Sequence, residues 1–394
     1  MNPRPLSHRQ RPRKPMINRA DVTVQPVENR QQWRAFHGFP KRIYATDPAW
    51  VQPLNQTISA RWRRQRPWFE HAQVKAWLAM RAGEVVGTIS AQVDDRALDP
   101  TTGRVGYFGQ FEAIDDAAVA RALVNEASAW LKRRDCDWVS GPFDLHINEM
   151  CGLLVDGFDT PPMIMMPHHP RYYAPLLKAS GLDEEMALLA YRVNPDFEPP
   201  KVMARLQQRE GARIELRSID RSRYAEELEL LRGLFNDAWQ DNWRFVPFSS
   251  EEFAALGKEL RPILNPQYTA IAFVDGAPAG FIIALPNLNE ITRTFQGRLW
   301  PLNALKLMRA LAGQGFTTAR VPLMGVSQRF HKTPMGALVA FSMIDAIRHP
   351  LHHNGVRNVE MSWILETNEG MNGLIEAIGG ERYKTYQMYG MGLE

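Results

Sequence analysis

Ala76-Trp-Leu-Ala-Met-Arg-Ala-Gly83-Glu-Val-Val-Gly87-Thr-Ile-Ser-Ala91 and Ala270-Ile-Ala-Phe-Val-Asp-Gly276-Ala-Pro-Ala-Gly280-Phe-Ile-Ile-Ala284 are one pattern written twice. Each is an apolar run, a turn glycine, three residues, a second glycine and another apolar run. Ala82-Gly83 and Asp275-Gly276 are hairpin chemistry, because glycine takes positive φ at no steric cost. Both glycine pairs are offset by 193 residues (276 − 83 and 280 − 87). A second matching pair lies further on. Pro170 to Gly181 and Asn368 to Gly379 both read as a loop feeding a short amphipathic helix that stops at glycine. Between the pairs each half holds a longer helix. One is capped by Asp115 or Asp116 and runs to about Arg134, and the other runs from Met335 to Arg348. Each half therefore reads helix region, hairpin, strand, helix, strand, short helix, strand.

The length agrees. At 394 residues, with 45% hydrophobic and 23% charged residues, the chain has material for two globular domains. The Pro-rich stretch Asn194 to Pro200 marks the boundary, which predicts domains at 21–197 and 198–394. Residues 286–320 are an insertion in the second half. There Leu302, Leu305, Met308 and Leu311 lie on one helical stripe, with Lys306 and Arg309 elsewhere. The stripe predicts a core-packing helix, with a lid or a membrane-surface helix as the alternatives. Residues 1–20 read as a disordered basic leader. Arg4, Arg9, Arg11, Arg13, Lys14 and Arg19 give it +6, so the net +4 of the whole chain leaves −2 for the rest (4 − 6). Met16 is an alternative start. A body of net −2 argues against nucleic-acid partners, which need a concentrated basic face. No apolar stretch reaches membrane-spanning length, and no secretory signal is present. A cytoplasmic chain is expected. Cys136 and Cys151 are read as structural thiols, since they have no metal-site or redox spacing. No metal site is expected either; the adjacent His168-His169 pair lacks ligand spacing.

This order of elements resembles the GNAT acetyltransferase superfamily, in two tandem copies over about residues 22–394. Gly141-Pro-Phe, Gly152 to Pro162, Met165 to Tyr173 and Glu366-Thr-Asn are similar to strings of a bacterial tandem-GNAT group that includes ceramide synthase-like N-acyltransferases. The resemblance implies an α/β, three-layer architecture, with a mixed, mostly antiparallel central sheet flanked by helices in each copy. It also implies acyl-CoA as co-substrate.

A CoA pyrophosphate needs several backbone N–H groups aimed at one point, which a helix N-terminus supplies. In the second half, Gly325 to Ala337 lies between a strand and a helix and looks like the superfamily's Gln/Arg-x-x-Gly-x-Gly/Ala loop with extra residues. The donor-site candidates are Gly325, Val326, Gln328, Arg329, Lys332, Gly336 and Ala337, with Asn368 leading the late helix. The equivalent place in the first half, Phe111 to Val119, has no glycine and three acids, which would repel phosphates. One donor site is expected, in the second half.

N-acyl transfer requires a deprotonated amine, a polarised thioester and a protonated leaving thiol. The fold resemblance places the thioester between the fourth and fifth strands of the copy. Glu366, at the end of the second of these strands, is the first general-base candidate; Glu290 and His331 are weaker. The superfamily's general-acid tyrosine would fall near Ile375, so the acid is left to Tyr386. Acceptor contacts are expected from Trp239, Asn242, Trp243, Asn287 and Glu290 in the second half and His146 and Glu149 in the first. The aromatic segment 235–248 suits an apolar channel for a long acyl chain. The reading is an acyl-CoA-dependent N-acyltransferase acting on a primary amine, such as a sphingoid long-chain base. It is placed in the cytoplasm, with peripheral contact at the inner membrane as a further option. The alternatives are acylation of a peptide, amino acid or aminoacyl-tRNA, or a non-catalytic acyl-ligand-binding protein.

Overall fold

The computed structural model describes residues 21–313 and 315–393; the basic leader and Met16 lie outside them. The first half runs β1 (Thr23–Pro26), α1 (Arg30–Gly38), α2 (Pro40–Ile43), α3 (Asn55–Arg61), β2 (Ala72–Arg81), β3 (Glu84–Asp99), β4 (Gly103–Ala113), α4 (Ala117–Lys132), β5 (Trp138–Gly141), β6 (Leu153–Asp156), α5 (Tyr173–Ala179) and β7 (Asp183–Val193). The second runs α6 (Lys201–Glu210), β8 (Ile214–Arg217), α7 (Tyr224–Trp239), α8 (Ser250–Leu260), β9 (Thr269–Val274), β10 (Ala277–Pro286), α9 (Asn289–Thr292), α10 (Leu302–Ala312), β11 (Thr318–Val326), α11 (Pro334–His353), β12 (Asn358–Leu365), α12 (Glu369–Ala377) and β13 (Glu381–Gly392).

The repeated local signals have repeated physical causes. Both hairpin turns place two residues at positive φ, Ala82 and Gly83 at 51° and 86°, Asp275 and Gly276 at 51° and 78°. That backbone matches the twist of the flanking strands. The second glycine of each pattern lies under a helix. A Cβ on Gly87 would stand 2.7 Å from Leu123 of α4, and one on Gly280 would stand 3.0 Å from Met343 of α11. Asp116 caps α4 and Thr333 caps α11 through side-chain acceptors. Asn368 caps α12 in the same way. Cys136 and Cys151 are both buried free thiols.

The two halves do not keep separate sheets. All thirteen strands form one mixed sheet in the order β1-β2-β3-β4-β5-β13-β7-β12-β11-β10-β9-β8, with β6 paired to β13. The final strand of each half has crossed to the other. β13 pairs with β5 and β6, β7 pairs with β12, and the two exchanged strands pair with each other. The cores follow the hydrogen bonds. Leu189, Tyr191 and Val193 of β7 pack under α11, while Tyr389 of β13 packs under α4. Side chains also bridge the halves. Arg244 reaches Asp99 at 3.0 Å and Glu185 at 2.9 Å, and Glu252 meets Arg96 at 2.8 Å and His71 at 3.0 Å.

The expected core-packing role of the inserted helix is not met. Ala304 is the one buried residue of α10; Leu302, Leu305 and Met308 are exposed. The stripe was identified correctly as a periodic one, but periodicity does not say which side of a helix the body lies on. No helix among the described residues is long and apolar enough to cross a membrane.

Candidate active site

β11 and β12 pair in parallel only over Thr318–Val321 and Asn358–Met361. Beyond that point β11 stays with β10 through Leu323, Met324, Gly325 and Val326, while β12, paired with β7 from Val359 onward, stays with β7 at Ile364 and Leu365. Pro322, which has no N–H to offer a neighbouring strand, stands where they part. The gap holds a cavity of about 50 Å³. Its second-half walls include Phe235, Trp239, Phe248 and Trp363; the first half supplies Ile147, Asn148, Glu149 and Met165. Phe235 stacks on Trp239 at 4.9 Å, Trp239 meets Trp363 edge-on at 5.5 Å, and the Trp239 indole donates to the Met324 carbonyl at 3.2 Å.

The first-half gap between β4 and β5 is filled by its own chain. Phe143 N–H donates to the Phe108 carbonyl at 2.8 Å, and the Gln92 amide donates to the Phe143 carbonyl at 3.2 Å. A Cβ on Gly109 would lie 1.7 Å from that carbonyl oxygen. Just beyond, the half-buried Glu112 accepts from the hydroxyls of Tyr173 (2.7 Å) and Tyr44 (3.3 Å). Burial pushes its carboxyl up to about 8, against the two tyrosine hydrogen bonds. Asp116 is occupied in capping α4 and pairs with Arg81 at 2.8 Å.

A buried ionic network underlies the second-half gap, and it was not anticipated. Arg320 lines the cavity and is 3% exposed; Glu360 is fully buried, 3.4 Å from it. Arg320 Nε donates to Ser362 Oγ at 2.8 Å. Its Nη2 donates to the Ser362 carbonyl at 3.1 Å, and its Nη1 to the carbonyls of Ile164 (3.2 Å) and Met165 (3.3 Å). Ser362 and Tyr383 hydroxyls donate to the two Glu360 oxygens. Four of five guanidinium N–H groups are thereby engaged. Met165 is held at φ 60°, a conformation rare for a residue with a side chain, in the segment whose carbonyls face Arg320. The available signal was a charge inside an apolar strand, in Thr318-Ala-Arg-Val and again in Val359-Glu-Met.

On the opposite wall, Glu149 is held by first-half side chains. Arg61 Nε lies 3.6 Å away, His146 Nε2 lies 3.5 Å away, and Arg66 makes a short contact. Burial raises the Glu149 carboxyl, but the His146 hydrogen bond and charge, then Arg66 and Arg61, bring it down to about 2. His146 stacks on Trp68 and accepts the Asn148 N–H at 3.3 Å, and Asn148 donates to the Val246 carbonyl at 3.0 Å.

Other sequence candidates stand apart from this cavity. Glu366 follows β12 toward β7, where its carboxylate accepts the Ala187 N–H at 2.9 Å. Tyr386 is fully buried and its hydroxyl has no hydrogen-bond partner among the described residues. Asn287 accepts the Ile164 N–H at 3.0 Å, and Glu290 accepts the N–H groups of Thr317 (3.0 Å) and Thr318 (2.7 Å), so both hold loops in place. Trp243 stacks on Phe143, and the Asn242 N–H closes a turn on the Trp239 carbonyl. Asn368 donates no contact to the gap; its side chain accepts the Met371 N–H at 3.1 Å.

The loop between β11 and α11 is a tight turn. Phe330 N–H returns to the Ser327 carbonyl and Thr333 N–H to the Phe330 carbonyl. Gly336 is needed because a Cβ there would lie 2.1 Å from the Phe330 carbonyl oxygen. Gly325 lets α7 approach, a Cβ there meeting Ala238 at 2.9 Å. Gln328 is committed to Asp237 and Asp241, Arg329 donates to the carbonyls of Ala277 and Pro278, and His331 lies 2.8 Å from the Val326 carbonyl. Lys332 is exposed at φ 57°, ahead of the first turn of α11, where Ala337 continues the helix.

No family model matches the chain. It is 41% identical over 373 residues to Protein YghO of Escherichia coli (strain K12), covering 93% of this chain and 94% of that one. It is 39% identical over 373 residues to the bacterial ceramide synthase of Caulobacter vibrioides (strain NA1000 / CB15N), covering 94% and 97%. Among solved structures, the fold matches a tandem GNAT protein from the clavulanic acid biosynthesis pathway with a TM-score of 0.56 at 16% identity, covering 95% of this chain and 99% of that one. At 39–41% identity over nearly its whole length, the chain belongs to the family of Protein YghO and the bacterial ceramide synthase, and it has the fold of tandem GNAT proteins.

Proposed function

We propose that the protein is an acyl-CoA-dependent N-acyltransferase with one reaction site, the β11–β12 gap of its second half. The observation that carries this reading is the contrast between that gap, walled by aromatics and floored by Arg320, and the first-half gap filled by Phe143. The donor pyrophosphate lies against Lys332 and the start of α11, where the exposed ammonium and the helix dipole favour an anion. The thioester carbonyl enters the gap, and the β11 backbone beyond Pro322 is the source of N–H donors to its oxygen. The acceptor nitrogen attacks the carbonyl carbon, the C–S bond breaks, the acyl group stays on nitrogen as an amide, and CoA leaves as a thiol with the proton that the amine gives up. Glu149, ionised at all ordinary pH values, holds the incoming ammonium, which gives one proton to solvent before the neutral amine attacks; its low pKa makes Glu149 a binding group rather than the base.

The acceptor in this reading is a long-chain amino ketone or amino alcohol. Identity to a relative named bacterial ceramide synthase supports it, as do the aromatic walls and a cation beside an anion, which suit an oxygen next to an amine. A space of about 50 Å³ holds only a few waters, so a long chain requires the walls to part. Such substrates partition into bilayers, which favours peripheral contact with the inner membrane from the cytoplasmic side. The test is N-acylation of 3-ketosphinganine and sphinganine with acyl-CoAs of several lengths. Amide formation with the ketone or alcohol is expected. Absence of product at every chain length from folded protein would remove the sphingoid reading, and transfer to a peptide, amino acid or aminoacyl-tRNA instead would replace it.

A further inference from the structure

Six large apolar side chains are exposed among the described residues, and four of them lie within nine residues: Trp300, Leu302, Leu305 and Met308, each more than half exposed. At 100° per residue, Leu302, Leu305 and Met308 share one side of α10, and Arg309 falls between Leu302 and Leu305. The helix is carried on the body along one edge. Between it and the body lies a groove of about 430 Å³, bordered by Met308, Leu311, Phe316 and Ile263 and, on its polar side, by Arg221 and Asn265.

Charge is segregated in the same place. No Asp or Glu occurs from Ile291 to Ile344. Arg293, Arg298, Lys306 and Arg309 are exposed there, giving +4 over 291–312 in a body of net −2, and none of the four forms an ion pair among the described residues. A second copy of this chain would set +4 against +4. A bilayer interface takes this mixture directly, because apolar side chains enter the acyl layer while cations stay with the phosphates. Tryptophan is enriched at that depth.

We infer that α10 and the residues leading into it, from Arg293 to Trp300, form a surface anchor for anionic phospholipid, which sets the groove beneath the helix against the bilayer. The anchor rests on the proposed function for its purpose, access to long-chain substrates, but its lipid binding is a property of the patch itself.

The test is co-sedimentation of the full chain with vesicles of phosphatidylcholine alone and of phosphatidylcholine mixed with phosphatidylglycerol. Binding to the anionic vesicles is expected to be roughly tenfold or more tighter and to weaken as salt is raised, since each surface cation near an anionic leaflet contributes about fivefold. The double variants Lys306→Glu/Arg309→Glu and Leu305→Glu/Met308→Glu should each lose about tenfold or more. All three proteins share the basic residues 1–19, so the differences among them read α10 alone. Equal sedimentation with both vesicle types, or variants that bind like the wild type while melting normally, would overturn the anchor. So would a dimer in lipid-free solution that Leu305→Glu/Met308→Glu dissociates. N-acylation of sphinganine supplied in detergent, with no vesicles present, separates the two readings. Lipid binding without transfer counts against the enzyme reading only, and transfer without lipid binding counts against the anchor only.

Discussion

Glu112 is a carboxyl enclosed by two tyrosine hydroxyls, and its raised pKa of about 8 makes stability depend on pH. The folded protein binds that proton more tightly than the unfolded chain, whose ordinary value is 4.5. This contribution is therefore full below about pH 4.5 and is lost as pH rises through 8. Glu112→Gln keeps a neutral hydrogen-bonding group at all pH values. Its urea midpoint should gain on the wild type steadily between pH 5 and 8; parallel curves would show that Glu112 does not titrate there. The Arg320–Glu360 pair is a different case. Removing one partner of a buried pair leaves the other uncompensated, at about 3–5 kcal/mol. Arg320→Met should lose that much in denaturant melts, and Arg320→Met/Glu360→Gln should recover a large part of it, which a merely additive pair would not do. Each of these sites is visible in the sequence as a charge, but the sequence does not say that the charge is buried.

Capping residues, turn glycines and periodic stripes placed α4, α5, α10, α11, α12 and both hairpins, because those signals act over a few residues. The donor loop shows where local reading stops. Gln328 and Arg329 match a phosphate-binding string, yet one is tied to Asp237 and Asp241 and the other to the β9–β10 turn carbonyls. Lys332 is the exposed cation nearest the start of α11. Lys332→Glu should weaken CoA affinity by about tenfold or more, as two charges change next to a doubly charged pyrophosphate. Its unliganded melting temperature should be nearly unchanged. Thermal shift against CoA concentration measures this; identical responses from wild type and variant would move the donor site elsewhere. α10 has a legible stripe too, and its exposure follows from what surrounds it, which a helical wheel does not contain.

The exchange of β7 and β13 makes the molecule one cooperative body despite its two copies. Separating the halves would break the β5–β13 and β7–β12 ladders and expose both cores. Chains covering 21–197 or 198–394 alone should be insoluble or molten, while the full chain should melt in one transition with agreeing van't Hoff and calorimetric enthalpies. Two resolved transitions would show that the halves fold independently. The open gap borders the same exchange, since β12 keeps its ladder with β7 at Ile364 and Leu365 after its pairing with β11 has ended.

Two copies of one α/β unit, their hairpins, caps and helix stops, and the unequal chemistry of the two strand–helix loops were determined by the sequence alone. These are properties of neighbouring residues and of pattern repetition. Which strand gap is open, which charges are buried beneath it, which helix face meets solvent and which last strand belongs to which half were decided only by the tertiary structure. Those outcomes depend on contacts between residues separated by a hundred or more positions, such as Arg320 with Met165 or Glu252 with Arg96, and no local pattern carries them.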